Sequence, residues 1–433
     1  MGGEPGSVRQ AVSLPAHPSS AGAARTLTDA LLMAHQRDEL VESARLLVSE
    51  LVTNSVVHAG TPLDVELALS PDGLWVQVRD GSPHLPSPRH YAPDARTGRG
   101  LGLLRDLATS WGAEATGGGK AVWFRLGGHG TRGAGVEHEP PTRPTAPPGD
   151  ATVGVRLLNV PLLLCRAWRQ HTESLLREYL LAQLDRSDDL DQSHDPIRLH
   201  AAATEAATVV AEHIPALGSW PTDDEASVAT EPDASLSCVD LEIRVAVVAR
   251  FHTLEALLET AASIAGAGRM LSPPVQPELR ALTKWICGQV RDQAHGAAPT
   301  PWSLGELPPP LPQRVLAWDA AAVTHADCAQ VASDDSGRIV AASGPALRLL
   351  GYRTRAQLVG RRVLVLVPAR YRQAHLAGFT LSLLNDRSGP VVGSGLTLPA
   401  LHADGDEVPM RITVEPQKVI GGRIVFIATL TPT

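Results

Sequence analysis

Residues Leu40 to Val57 carry apolar side chains at helical spacing. Within that run, Glu50-Leu51-Val52-Thr53-Asn54-Ser55-Val56-Val57-His58-Ala59 places a carboxylate and an amide on one face. Glu50 and Asn54 are four residues apart, so on a helix they stack one turn from each other. A carboxylate that can take a proton and an amide oxygen that can ligate a hard cation suit Mg-nucleotide chemistry, in which the metal neutralises phosphates and the base activates an attacking hydroxyl. Taken alone, the pair reads more readily as a solvated helix face, because both residue types are common on surfaces.

The residues that follow narrow the choice. Leu74 to Arg79 alternates as a strand and Asp80-Gly81-Ser82-Pro83 breaks it; after a loop rich in Pro, His and Arg comes Gly98-Arg99-Gly100-Leu101-Gly102-Leu103-Leu104. Glycines there let backbone N–H groups approach phosphates, and a helix starting near Gly100 points its positive end at them. Each feature is weak by itself. The order of Glu/Asn helix, strand-ending Asp and glycine-rich helix start is specific.

On these residues the chain resembles the Bergerat-type ATPases shared by gyrase, sensor histidine kinases and anti-sigma-factor serine kinases, most closely the last in their actinobacterial form. Glu50 to Asn54 resembles the N box, Asp80-Gly81-Ser82-Pro83 a short first glycine box, and Gly98 to Leu104 the second. The resemblance implies Glu50 as general base, Asn54 as the Mg2+ ligand and Asp80, followed by Gly81, as acceptor of the adenine amino group of ATP. It also implies that Arg99, Gly100 and Gly102 border the phosphates under a lid from about Ser82 to Thr97. In Gly119-Lys120-Ala121-Val122-Trp123-Phe124, Ala121 stands where the family usually carries a Thr that helps hold adenine. Losing one hydrogen bond of about 0.5–1.5 kcal/mol weakens nucleotide affinity several-fold without abolishing it.

A length of 433 residues suggests two to four domains, and a net charge of −8 without a basic stripe disfavours direct nucleic-acid binding. Cys165, Cys238, Cys287 and Cys328 are far apart and form no CxxC, which reads as reduced thiols rather than a disulfide frame or metal site. No signal peptide opens the chain and no apolar run reaches membrane-spanning length, so a cytoplasmic protein with no membrane association is expected.

The predicted fold class is multidomain α+β. Residues 10–126 read as a two-layer α/β sandwich, with helices at Ser20 to Ala34, at Asp38 to Ala59 and from Gly100, over strands near 10–16, 63–69, 74–80, 111–115 and 120–126. A Gly/Pro/Thr linker, 127–150, precedes an expected α-helical bundle over 151–298, with helices at Leu157 to Leu184, Ile197 to Ile214, Leu236 to Ala265 and Pro277 to Ala294. His171 invites comparison with a phosphoacceptor but lacks an adjacent acid-Leu-Arg run, and reads as a surface or core histidine. A second linker, 299–320, leads to 321–433, where two strands, a helical side and three strands follow. With Gly351-Tyr352, Leu358-Val359-Gly360, Pro368 and the Asp404-Gly405 hairpin, this part resembles a PAS sensor domain. In haem-binding PAS domains an iron-ligating histidine occupies the place of His375, which makes haem a candidate ligand there. Those sensors also carry an Arg where this chain has Leu396, after Gly393-Ser394-Gly395. A small apolar ligand or a dimerisation surface is the competing reading.

Two function classes follow. In one the chain is an ATP-dependent serine/threonine kinase of the partner-switching kind, a homodimer that binds a sigma factor or an anti-sigma-factor antagonist and acts on transcription. In the other it is a non-catalytic, nucleotide-gated binding protein. Glu50 favours the first, because docking requires no base; Ala121 and the fusion of domains favour the second. A sensor histidine kinase ranks third.

Overall fold

The computed structural model describes residues 8–84, 99–127, 151–184, 195–214, 235–305, 307, 316–385, 395–419 and 423–433. Outside the described residues fall 85–97 of the expected lid, Gly98, nearly all of the first linker and part of the second, residues 215–234, Gly393, Ser394 and residues 420–422; the side chains of 99–102 are also outside. The chain divides into two compact units, Met1–Ala151 with Gln183–Thr208, and Thr152–Ala182 with Val209–Thr433.

In the first unit, β1 (Val8–Leu14), β2 (Leu63–Ser70), β3 (Gly73–Asp80), β4 (Ser110–Thr116) and β5 (Gly119–Leu126) form an antiparallel sheet in the order β1-β2-β3-β5-β4. The alternation that marks β2 buries Leu63, Val65, Leu67 and Leu69, as in a sheet covered on one face. The unit's helices among the described residues include α1 (Ser19–Ala34), α2 (Asp38–Ala59) and α3 (Arg99–Leu107), and most of a later helix, Pro196–His213, also belongs to this unit. Asp38 and Glu39 sit in the first turn of α2, where they suit its positive end, and Gly60 stops it in the left-handed conformation at φ 60°. Leu40, Ala44, Leu47, Val48, Leu51, Val52 and Val56 form its buried stripe, and α2 packs on α1, β3 and β5. This is the two-layer arrangement read from the sequence, within the mixed, multidomain α/β class expected for the chain.

In the second unit β6 (Thr152–Pro161) pairs antiparallel with β7 (Ser235–Arg244), Thr152 opposite Arg244 and Pro161 opposite Ser235. Each strand runs directly into a long helix, α4 (Leu162–Leu184) or α6 (Val245–Gly266), followed in the chain by α5 (Pro196–His213) or α7 (Pro277–Ala294). The two strands are 10 residues each, the long helices 23 and 22, and the following helices 18 each, both starting at a proline. Arg169-Gln170-His171-Thr172 on α4 recurs as Arg250-Phe251-His252-Thr253 on α6. The two segments thus share the order strand, helix, helix and a three-residue match, Arg-x-His-Thr, on their long helices.

Those strands correct the expected helices. The stretches beginning at Leu157 and Leu236 open as β-structure, because Val153, Val155 and Leu157, and likewise Val239, Leu241 and Ile243, alternate with polar or small residues at period two. Among the described residues the central region therefore holds four helices together with a two-stranded ribbon, and is not all-helical.

The rest of the second unit contains α8 (Ala321–Thr324), β8 (Gln330–Asp334), β9 (Ile339–Ala342), α9 (Gly344–Leu349), α10 (Arg372–Asn385), β10 (Leu396–Leu401), β11 (Glu407–Lys418) and β12 (Ile424–Pro432). Its antiparallel sheet has the order β10-β11-β12-β8-β9, which puts the last strand beside the first. Val331, Ile339, Leu350, Leu358, Met410 and Leu430 share its core. The first turn of α7 is fastened to this sheet domain: Gln276 Nε2 donates to the Asp335 carbonyl at 2.9 Å and Arg362 Nη2 to Glu278 Oε2 at 2.6 Å.

Candidate nucleotide site

The site is assembled from α2, the end of β3 and the start of β5. Burying the stripe of α2 against β3 and β5 leaves Glu50 and Asn54, one turn apart, half-buried at its flank. Neither side chain takes a hydrogen bond or ion pair among the described residues. Just past the C-terminal end of α2, six residues beyond Asn54, Gly60 turns the chain so that Thr61 Oγ1 accepts the Gly81 N–H at 2.9 Å, which ties the residue after Asp80 to the helix terminus.

Asp80 ends β3 and is buried. Its Oδ1 accepts from Lys120 Nζ at 2.9 Å and from the Ser82 N–H at 2.9 Å. Its Oδ2 is buried and takes no hydrogen bond among the described residues. A buried acceptor without a donor is costly unless something supplies one, so this oxygen fits the exocyclic amino group of adenine. Gly119, at φ 153°, comes so close to β3 that a Cβ there would lie 1.9 Å from the Asp80 carbonyl oxygen. Glycine is what allows β5 to start beside Asp80, and the register then sets Lys120 opposite it. Ala121 is fully buried and supplies no hydroxyl, as its sequence implies.

The backbone of Arg99, Gly100 and Gly102 forms the start of α3, and the first N–H groups of a helix favour anions; Leu104 anchors this helix and is fully buried, and α3 packs on α2. The structure thus joins Asp80, Gly81 and Lys120 at one sheet end, sets Glu50 and Asn54 on α2, and packs the helix that opens with the glycine-rich segment on α2. Among the described residues no group of three His, Cys, Asp or Glu could hold a metal. A Mg2+ here would be held by the Asn54 amide oxygen together with phosphates and water, which suits an ion that usually keeps several waters and takes few protein ligands. Sequence reasoning quoted Lys120 only within a strand motif and missed Thr61; the Gly117-Gly118-Gly119 hairpin, which fixes the register of Lys120, was the available signal.

Two histidines of the second unit lie outside this site. His171 is 3% exposed, and burial pushes its imidazole down to about 4, the Pro273 carbonyl opposing in part; such a ring is inaccessible as a phosphoacceptor. His375 is likewise lowered to about 4, by burial and by the charge of Arg362. Its ring stacks on Phe379 with centroids 6.1 Å apart, and Phe379 meets Phe426 at 5.1 Å. Side chains that pack their own rings beside the histidine do not fit a haem at that position.

Residues 14–126 match the family described as histidine kinase-like ATPase domain, so the N-terminal region is such a domain. No curated protein matches the chain. Among solved structures the chain is similar to a Rhodobacter sphaeroides LOV protein, at 19% identity over 26% of this chain and 64% of that one, with a TM-score of 0.22. The chain therefore spans less than two thirds of that protein's length. It is also similar to a PAS domain from Desulfitobacterium hafniense, at 16% identity over 25% and 94% with a TM-score of 0.20. A PAS domain of an HTR-like protein from Haloarcula marismortui is similar at 18% identity over 26% and 93%, with a TM-score of 0.20.

Proposed function

We propose that this ATP-binding signalling regulator is an anti-sigma-factor-type serine/threonine protein kinase acting by partner switching. In this reading residues 10–126 are the ATPase domain, 151–298 a helical domain and 321–433 a PAS sensor domain, whose sheet order and intervening helices support the assignment. The partner is a sigma factor, an anti-sigma-factor antagonist, or each in turn, and the working state is a cytoplasmic homodimer.

Bound Mg-ATP supplies the transferable phosphoryl group. Asp80 Oδ2 would accept a hydrogen bond from the adenine amino group, the start of α3 would meet the phosphates, and Asn54 would give its amide oxygen to the Mg2+ that neutralises them. Glu50 takes the proton from the attacking Ser or Thr hydroxyl of the partner, which raises the nucleophilicity of that oxygen as its bond to the γ-phosphorus forms and the bond from that phosphorus to the β,γ-bridging oxygen breaks, releasing ADP. The observation that carries the reading is Glu50 itself: a half-buried carboxylate with no protein partner among the described residues, one turn from the metal-ligand candidate.

The full-length protein, Mg-ATP and partner proteins captured with it test this directly. Glu50→Ala should bind ATP nearly as wild type and transfer no phosphate, because a base acts on the hydroxyl and contributes little to ground-state nucleotide binding. A wild type that binds ATP and its partner but transfers no phosphate moves the conclusion to the second reading, nucleotide-gated docking without catalysis. Fully buried Ala121, which removes an adenine contact, favours that second reading.

A further inference from the structure

We propose that Lys120 is a positioning residue that selects adenine, by fixing which oxygen of Asp80 meets the base. The proposal rests on the nucleotide-site reading above and assigns a residue to which that reading gives no role.

Lysine is almost never buried without a partner, since moving an ammonium group out of water is costly. The Lys120 side chain is 9% exposed and that of Asp80 is 1% exposed, with Nζ 2.9 Å from Oδ1. Antiparallel pairing of β3 with β5 places the two residues directly opposite, and Gly119 allows the close approach that holds them there. Oδ1 already receives the Ser82 N–H as well. Two donors on one oxygen fix the plane of the carboxylate and leave Oδ2 as its vacant acceptor among the described residues.

An ion-paired carboxylate accepts hydrogen bonds and donates none. It therefore takes a 6-amino group and is repelled by the 6-oxo group that guanine and hypoxanthine carry at the same place. Without the Lys120 ammonium, Ser82 alone would orient the carboxylate, and Oδ2 would no longer be held as a fixed acceptor for the amino group. The competing account has Lys120 merely tying β5 to β3, in which case its loss weakens every nucleotide alike.

A ratio of affinities separates the two accounts. Mg-ATP and the triphosphate of purine riboside, which differs only in lacking the 6-amino group, are titrated calorimetrically into the full-length protein. Wild type should prefer ATP by about tenfold, the worth of one hydrogen bond to a charged group. Lys120→Met should bring the ratio near one, chiefly by weakening ATP, and Lys120→Arg should restore most of it. If Lys120→Met fails to fold by circular dichroism, Lys120→Gln, which keeps a polar terminus without the charge, carries the same comparison. A tenfold ratio that survives in the Met or Gln variant overturns the role of Lys120 while leaving the nucleotide site standing. A wild type that does not bind ATP overturns the nucleotide reading and this proposal together.

Discussion

Arg362→Met would strand a carboxylate in the interior of the second unit. Glu278, in the first turn of α7, has a side chain with 0% exposure, and its Oε2 accepts from Arg362 Nη2 at 2.6 Å; the Arg362 side chain is 19% exposed. The same guanidinium donates to Gln276 Oε1 at 3.1 Å and to the Ser336 carbonyl, and Glu278 Oε1 takes no hydrogen bond among the described residues. Removing one partner of a buried ion pair costs about 3–5 kcal/mol, because the remaining charge stays desolvated. Some water reaches Arg362, so the lower end applies, and about 3 kcal/mol corresponds to roughly a hundredfold more frequent opening of the first turns of α7. Hydrogen exchange read by mass spectrometry on the full-length protein measures this. The double variant Arg362→Met with Glu278→Met leaves no stranded charge and should recover most of the protection. Wild-type exchange in the single variant, or a double variant no better protected than the single, would refute the reasoning. The outcome bears on signalling, since this joint fastens α7 to the C-terminal sheet domain, and any event there that moves Arg362 also moves the start of α7.

Asn54→Ala should lower Mg-ATP affinity of the full-length protein by about tenfold or more in calorimetry, because phosphates without a correctly placed metal repel one another; equal affinity removes Asn54 from the metal role. His171 gives a pH dependence. Its pKa is lowered by burial from 6.5 to about 4, so the unfolded chain binds the proton first as pH falls. Its contribution to stability is intact above 6.5 and declines between 6.5 and 4, reaching a loss of about 3 kcal/mol. His171→Phe should lose correspondingly less between pH 7 and pH 4 in urea unfolding of the second unit's transition, and an identical loss in both proteins would sink the assignment.

Elements whose signal is local were legible in the sequence. The stripe from Leu40 to Val56 gives α2 because seven buried side chains recur on one face, and Gly60 ends it where a left-handed residue is needed. Alternation in β2 and β3 and the glycine hairpin before β5 were equally readable. Ser235-Leu236-Ser237-Cys238-Val239-Asp240-Leu241-Glu242-Ile243-Arg244 was misread because its strand runs without a turn into α6, so the period changes from two to 3.6 inside one apolar stretch. No Gly or Pro marked the change; only the alternation of Val239, Leu241 and Ile243 with Asp240 and Glu242 did.

Side chains that finish a site across long separations carry no local mark. Lys120 and Asp80 are 40 residues apart and meet through the register of two strands; Arg362 and Glu278 are 84 apart and meet because a turn of the C-terminal sheet domain abuts a helix end. Sequence could name Asp80, because an acid that ends a strand before glycine is visible one-dimensionally. It could not show that Oδ1 is already occupied, and that fact gives Asp80 its direction. A carboxylate free to rotate offers either oxygen to any donor, whereas one tied at Oδ1 by an ammonium and a backbone N–H presents a single acceptor in a fixed place. The chemistry at the site was therefore legible as a set of residue types, and its selectivity only as a set of pairings.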